Sequence, residues 1–247
     1  LVGPLADAGV QYQGCWAVAA RDNYPSLLDE MRRMDGISLR YAKGCNILED
    51  ERLEKMVTPG KASRWDRRPL DEMISEAVSA ARNSDVVVAA MGEAANMSGE
   101  SGSRTDISLP ECQKKLLKAL TGTGKPVVLV LFSGRPMTLA WENEAMTSIL
   151  QTWFGGSEAA DAITDVLFGD VNPSGKLTMS FPFSVGQIPV YYNMKNTGRD
   201  AYSKDYRRYA SNWIDCPNEP LYPFGYGLSY TTFEYSPVAL SDTVMTV

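Results

Sequence analysis

Short apolar runs alternate along the chain with segments whose apolar residues recur every three or four positions. The runs predict strands at residues 37–41, 85–91, 126–132 and 149–153, and the spaced segments predict helices at 70–83, from Pro110 to Gly122, and at about 157–167. Run 126–132 is uninterrupted, as expected for a central parallel strand covered on both faces. The alternation predicts an α/β fold, a three-layer αβα sandwich with a mainly parallel sheet.

The pattern changes after Ser184, where Tyr, Pro, Asn and Gly dominate and periodicity is lost. This composition predicts an irregular C-terminal tail that wraps the same domain rather than forming a second one. Aromatic residues lie between glycines at 223–230. A glycan-stacking surface is one interpretation of that cluster, but we favour a tight turn whose rings are buried against the core.

Composition narrows the function classes. The chain has 247 residues, which suffices for one large domain with a full core, and no apolar run approaches the roughly 18 residues of a membrane span. Its net charge is −6, and its arginine pairs are scattered. Nucleic-acid binding needs clustered cations, so we expect neither a nucleic-acid partner nor a membrane partner.

The chain has no histidine. This absence excludes Ser-His-Asp and Cys-His catalysis, and proton transfer is left to carboxylates, Lys or Tyr. The four cysteines are far apart in sequence and lack a CxxC spacing, so we expect no metal site and no cofactor. A Cys15–Cys45 disulfide and buried free thiols both remain open.

The loop at residues 92–106 follows the predicted strand at 85–91 and carries Glu93 and Glu100 among Gly and Ser residues. Loops at the carboxyl ends of strands are where α/β folds place ligands. A carboxylic acid there is a candidate proton donor, although a lone loop glutamate is most often only solvated.

Motifs along almost the whole chain resemble the second domain of glycoside hydrolase family 3 β-glucosidases, most closely the bacterial periplasmic type. The similarity runs in order from residue 1 to about 235. Its motifs are LVGPLA at 1–6, YAKG at 41–44, DVVV at 85–88, GE at 92–93, SRTD at 103–106, GRP at 134–136, TWFGG at 152–156, DVLFGDVNPSGKL at 165–177, QIPVYY at 187–192 and PFGYGLSY at 223–230.

The resemblance implies retaining hydrolysis of β-linked glycosides. An Asp on an N-terminal (β/α)8 barrel attacks the anomeric carbon, and a Glu from this α/β domain acts first as acid and then as base. The matching position is Glu100, whose pKa we expect to be raised in the assembled enzyme. Glu93 is expected to support the loop by hydrogen bonding, and Arg104 with Asp106 to form a local ion pair at its far end.

The resemblance also carries a substrate-binding role over to Trp16, as one wall of the cleft beside the leaving-group sugar. The competing interpretation is that Trp16 is an ordinary buried ring. We expect the other four tryptophans to be packing residues: Trp65, Trp141, Trp153 and Trp213.

The resemblance divides the chain into the α/β domain, residues 1–235, and a linker or start of a fibronectin type III-like domain, residues 236–247. No segment resembles the barrel, and the first residues are typical of a strand already under way, so we interpret the chain as a piece of a longer protein. The expected partners are a β-linked oligosaccharide or glycoside and the barrel, with self-association through the exposed docking face, in the periplasm or outside the cell.

Two alternatives remain open. The enzyme is a β-xylosidase or a mixed glucosidase/xylosidase if the unseen barrel selects for pentoses. In a different class, the chain is a non-catalytic α/β module that binds carbohydrate or protein.

Overall fold

The computed structural model describes residues 1–17, 24–58, 64–195, 198–199 and 206–244. Its central sheet has three parallel strands in the order β1 (Val87–Gly92), β2 (Val127–Phe132) and β3 (Ser148–Gln151). Val2 extends the sheet beyond β1 through parallel bridges to Ala89 and Ala42. The parallel sheet predicted from the sequence is confirmed.

The strand predicted at residues 37–41 is wrong. Pairing on this side of the sheet is limited to isolated bridges at Val2, where the N–H of Ala42 donates to the carbonyl of Leu1 at 3.2 Å. Residues 37–41 precede that bridge and make no ladder of their own. Apolar alternation alone therefore does not create a strand where the neighbouring segment offers a single pairing position.

Six α-helices flank the sheet among the described residues. Their bounds are α1 (Leu27–Arg33), α2 (Glu51–Val57), α3 (Leu70–Arg82), α4 (Glu111–Thr121), α5 (Ala140–Ala145) and α6 (Ala159–Phe168). Helices α3, α4 and α6 match the predicted helices. The short helices α1, α2 and α5 were not predicted. Ser26 caps α1 with a capping box, and the side chain of Asp50 accepts a hydrogen bond from the N–H of Leu53 in α2.

The helices form two layers, one on each face of the sheet. Helices α3 and α4 pack against each other over the face that carries Ala89, Met91 and Leu129, whereas α1 and α6 cover the face that carries Val130 and Phe132. Successive strand residues alternate between the two cores, as the two-residue period of a strand requires. This arrangement confirms the αβα sandwich. None of the described helices is long and apolar enough to cross a bilayer.

The chain after α6 is irregular, and the irregular tail predicted after Ser184 is confirmed. Its described part contains one 3-10 turn, Val185–Gln187, and an antiparallel bridge between Phe181 and Tyr222, through which it packs on the sheet. The favoured interpretation of the 223–230 cluster is wrong for its outer rings, because Phe224 is 48% and Tyr230 60% exposed. Residues 245–247, the end of the segment expected to be a linker, lie outside the described residues.

Candidate functional site

The loop at 92–106 leaves β1 at a fixed position. The backbone of Gly92 has φ 132°, and a Cβ there would lie 1.9 Å from the carbonyl oxygen of Phe132, so the close approach of the two strands requires glycine. The buried amide of Gln113 accepts from the N–H of Gly92 at 2.8 Å and donates to its carbonyl at 2.9 Å. Glu93 continues the ladder by donating its N–H to Phe132 at 2.8 Å.

Glu93 lies fully buried between two arginines, and we call these three residues the Glu93 cluster. Arg104 Nη1 lies 2.9 Å from Glu93 Oε1, and Arg135 Nε lies 3.1 Å from the same oxygen and 3.2 Å from Oε2. A buried carboxylate is tolerated only when it is paired and hydrogen-bonded, and here both conditions are met. The loop-supporting role predicted for Glu93 is confirmed by these contacts.

The ion pair predicted between Arg104 and Asp106 is wrong. Arg104 instead donates to Glu93 and to the carbonyl of Ser108, at 3.0 Å. The carboxylate of Asp106 accepts the N–H of Ser108 at 2.8 Å, and this backbone hydrogen bond lowers the pKa of Asp106. The buried Glu93 takes the arginine because an unpaired buried charge is far costlier than an exposed one.

Glu100 lies in a tight turn, residues 99–102, which we call the Glu100 turn. The N–H of Gly102 donates to the carbonyl of Gly99 at 2.9 Å, and Ser101 has φ 61°, in the left-handed region. A Cβ at Gly102 would lie 3.1 Å from the backbone nitrogen of Gly99, so the turn closes tightly. The side chain of Glu100 is exposed. The turn therefore presents this carboxyl group to the outside of the domain.

Trp16 lies on a loop that packs against the residues just before Glu100. The thiol of Cys15 donates to the carbonyl of Ser98 at 3.4 Å, and its sulfur lies 3.1 Å from where a Cβ at Gly99 would be. Trp16 itself is 70% exposed, which rules out the buried-ring interpretation. The structure therefore brings the loops of the two sequence-predicted site residues together at the carboxyl edge of the sheet.

Tyr12 anchors the loop that carries Trp16 to the core. The buried Tyr12 hydroxyl donates to the carbonyl of Leu5 at 2.5 Å and accepts from the N–H of Leu27 at 3.2 Å. Its ring stacks on Phe132 with 4.5 Å between centroids. Gln11 and Tyr12 lie in a 3-10 helix, Gly9–Gln13. The side chain of Gln11 accepts from the N–H of Ala95 at 2.8 Å, which ties this helix to the loop that follows β1.

Arg135 was missed as a site residue, although its GRP motif contributes to the resemblance. It follows β2, and its guanidinium reaches across to the loop that follows β1. Gln113 and Gln11 were also missed, since an amide in a helix carries no sequence signal for a loop many residues away. The carboxyl ends of parallel strands lie close together, and this is the one sequence-based reason to expect a contact between residues that follow different strands.

The four thiols are free, so the free-thiol alternative holds rather than a Cys15–Cys45 disulfide. Cys45 is buried beside Cys112 in the core under α4, and burial raises the pKa of its thiol well above the usual value. Cys15 lies instead at the site, beside Ser98.

A second concave surface lies on the C-terminal tail. This groove of about 510 Å³ is lined by aromatic residues from two tail segments, among them Tyr191, Tyr192, Trp213 and Phe224. Trp213 is 45% exposed there, so the packing role expected for it is wrong. The groove shares no lining residue with the Glu100 turn or the Trp16 loop.

The sequence matches a family model described as the glycosyl hydrolase family 3 C-terminal domain over residues 1–230. It is 49% identical over 249 residues to the periplasmic beta-glucosidase of Salmonella typhimurium, covering 99% of this chain and 32% of that protein. It is 42% identical over 226 residues to a beta-xylosidase of Formosa agariphila, covering 89% and 27% respectively.

The fold is similar to that of the β-glucosidase from Listeria innocua, solved in complex with isofagomine. The TM-score is 0.81 at 38% identity, covering 94% of this chain and 30% of that one. The chain thus spans about a third or less of the length of the relatives it matches.

Proposed function

Because the chain belongs to the C-terminal domain family of the family 3 glycosyl hydrolases, we propose that it supplies the acid/base group of a retaining, exo-acting β-glucosidase, and that this group is Glu100. The proposed reaction removes terminal β-D-glucosyl residues from oligosaccharides or glycosides. The observation that carries the proposal is an exposed carboxyl group on a turn whose base is tied to the carboxyl edge of the sheet.

Two carboxyl groups about 5 Å apart perform a retaining hydrolysis. In the first step the nucleophilic carboxylate bonds to the anomeric carbon as the bond from that carbon to the glycosidic oxygen breaks. The protonated Glu100 gives its proton to this oxygen, so the leaving group departs as an alcohol. In the second step the Glu100 carboxylate takes a proton from water, which displaces the enzyme carboxylate. We expect the nucleophile on a (β/α)8 barrel elsewhere in the protein, so residues 1–235 alone have little activity.

An exposed turn suits this division of labour. A donor that must approach a carboxylate from another domain cannot be buried within its own domain. Trp16 is exposed next to the same loop, and we propose that its indole face forms a wall for the leaving-group sugar. We propose that the barrel docks on the exposed surface around Trp16 and Glu100, and that the isolated domain self-associates through this surface.

A β-xylosidase is the second candidate function, favoured by the 42% identity to the Formosa agariphila protein. The choice between hexose and pentose depends on sugar-binding groups that we expect outside this chain. The name of the Salmonella typhimurium relative supports a periplasmic location. If the full-length protein hydrolyses no glycoside, the alternative of a non-catalytic binding module is favoured instead.

The test is Glu100→Gln in the full-length protein, with Glu158→Gln as the matched control because Glu158 is also exposed and its side chain caps no helix. General acid catalysis contributes about 10²- to 10⁴-fold. We expect kcat/KM of Glu100→Gln to fall by that factor on alkyl glucosides and cellobiose, and by a much smaller factor on dinitrophenyl glucoside.

Azide is expected to restore turnover of the Glu100→Gln variant on the activated substrate and to yield glucosyl azide of retained configuration. Azide needs no general base, so it replaces the water that Glu100 activates. Equal losses on both classes of leaving group, with no azide product, would contradict the assignment of Glu100. The relative rates on aryl glucosides and aryl xylosides decide between the two candidate substrates.

A further inference from the structure

We propose that Arg135 is a positioning residue for Glu100: its guanidinium joins both sides of the Glu100 turn to the buried carboxylate of Glu93 and so fixes where the proton donor lies. This inference rests on the proposed function and adds a residue to it. Arg135 itself touches neither the substrate nor the reacting atoms.

The contacts of Arg135 are arranged around the turn. Its Nη2 donates to the carbonyl of Met97, three residues before Glu100, and to the carbonyl of Gly102, two residues after it, at 3.2 Å. Its Nε faces Glu93. A planar guanidinium holds several acceptors in fixed directions, which a single ammonium group does not. One side chain thus fixes both ends of a six-residue segment with Glu100 inside it.

The base of this arrangement is rigid. Glu93 follows the last residue of β1, and Arg135 follows β2 by three residues. The carbonyl of Arg135 accepts from Ser133 Oγ at 2.9 Å, and Ser133 Oγ accepts from Gln151 Nε2, at the end of β3, at 3.0 Å. The ends of all three parallel strands therefore support Arg135, whose side chain is only 19% exposed.

Arg104 provides an internal comparison. It also pairs with Glu93 and is also 19% exposed, but its second contact is the carbonyl of Ser108, beyond the turn. The two arginines therefore share the ion pair and the degree of burial, and they differ in their contacts with the Glu100 turn. Replacing either one breaks a buried pair, and only the replacement of Arg135 also removes the contacts with Met97 and Gly102.

The difference sets an expectation for kinetics. A displacement of about 1 Å at a catalytic group costs on the order of 100-fold in rate. A displaced proton donor penalises leaving groups that need protonation and spares those that depart unaided. A merely structural defect lowers the concentration of active enzyme and so lowers activity on every substrate by the same factor.

The experiment compares Arg135→Met, Arg135→Lys and Arg104→Met in the full-length protein, measuring kcat/KM on aryl β-glucosides of graded leaving-group pKa, azide rescue and thermal unfolding. We expect Arg135→Met to lose about 100-fold on the poorest leaving group and at most a few-fold on the best. Arg104→Met is expected to lose stability comparably, with a much flatter dependence on the leaving group.

Arg135→Lys keeps a charge to pair with Glu93, so it tests the inference even if Arg135→Met fails to fold. It is expected to fold and to show the same selective loss. Uniform losses across the substrate series in the Arg135 variants, or equal selectivity in Arg104→Met, overturn the positioning role. Glu100→Gln separates the two proposals: if it shows no selective loss, the proposed function itself fails, whereas selective loss in Glu100→Gln alone refutes only the role of Arg135.

Discussion

A single methyl group at Gly134 is predicted to displace the loop that carries Glu100. A Cβ at this position would lie 1.9 Å from Ser98 Oγ, 2.7 Å from Ser98 Cβ and 3.0 Å from Phe154 Cε2. Ordinary contact begins at 3.4 Å, so the oxygen must retreat by about 1.5 Å and the Cβ by about 0.7 Å. Rotation of the Ser98 side chain relieves only the first clash, so the backbone must move as well.

Two consequences of Gly134→Ala follow. Overpacking of this kind costs about 1–3 kcal/mol of unfolding free energy. Since Ser98 lies two residues before Glu100, a backbone shift approaching 1 Å is also expected to lower kcat/KM on poor leaving groups by up to about 100-fold. The assays are urea unfolding and the aryl glucoside series, both on the full-length protein.

Gly175→Ala is the matched control, because a Cβ at Gly175 meets no heavy atom within 4 Å and neither glycine needs a positive φ. The control is expected to match the wild type or to exceed it slightly in stability, since alanine restricts the unfolded chain. The steric reasoning is refuted if Gly134→Ala unfolds at the same urea concentration as Gly175→Ala and has the same kinetics.

Two further predictions concern stability. Tyr12→Phe keeps the ring on Phe132 but removes the hydroxyl partner of the Leu27 N–H and the Leu5 carbonyl, so we expect a loss of about 1–3 kcal/mol by urea unfolding; wild-type stability would show that these groups find other partners. Burial raises the pKa of Glu142 above its usual 4.5, so the folded protein binds this proton more tightly than the unfolded chain does. The contribution of the bound proton to the free energy of unfolding is lost as pH rises from 4.5 through the folded-state pKa. Glu142→Gln is therefore expected to flatten the decline of the urea midpoint over that interval and to be more stable than wild type at pH 7, and an unchanged pH profile would contradict this account.

The elements that the sequence predicted well are those with long, repetitive burial. The strand at 126–132 is apolar throughout because β2 lies between two helix layers, and α3 shows its buried stripe over almost four turns. Helices α1 and α2 escaped prediction because each has only seven residues, too few for a periodic signal. Their visible signals were the caps Ser26 and Asp50, which also occur in ordinary turns.

The position of the site was predictable from the sequence, but the ion pairs and hydrogen bonds among its residues were not. A loop after a buried strand of an α/β sheet directed attention to Glu93 and Glu100, and that reasoning needed only local sequence. One of the two partners of Glu93 could not be found that way, since Arg135 is 42 residues away in sequence. Proximity in sequence suggested Asp106 as the partner of Arg104, and burial of Glu93 decided otherwise.

Glu93 is buried and paired within this domain, whereas Glu100 is exposed on its turn. The buried charge of Glu93 lies beneath the turn, where two arginines of this same domain compensate it. The exposed carboxyl of Glu100 costs this domain little desolvation while it is undocked. Under the proposed function, docking the barrel then needs to change only the surroundings of Glu100, since its position is already set.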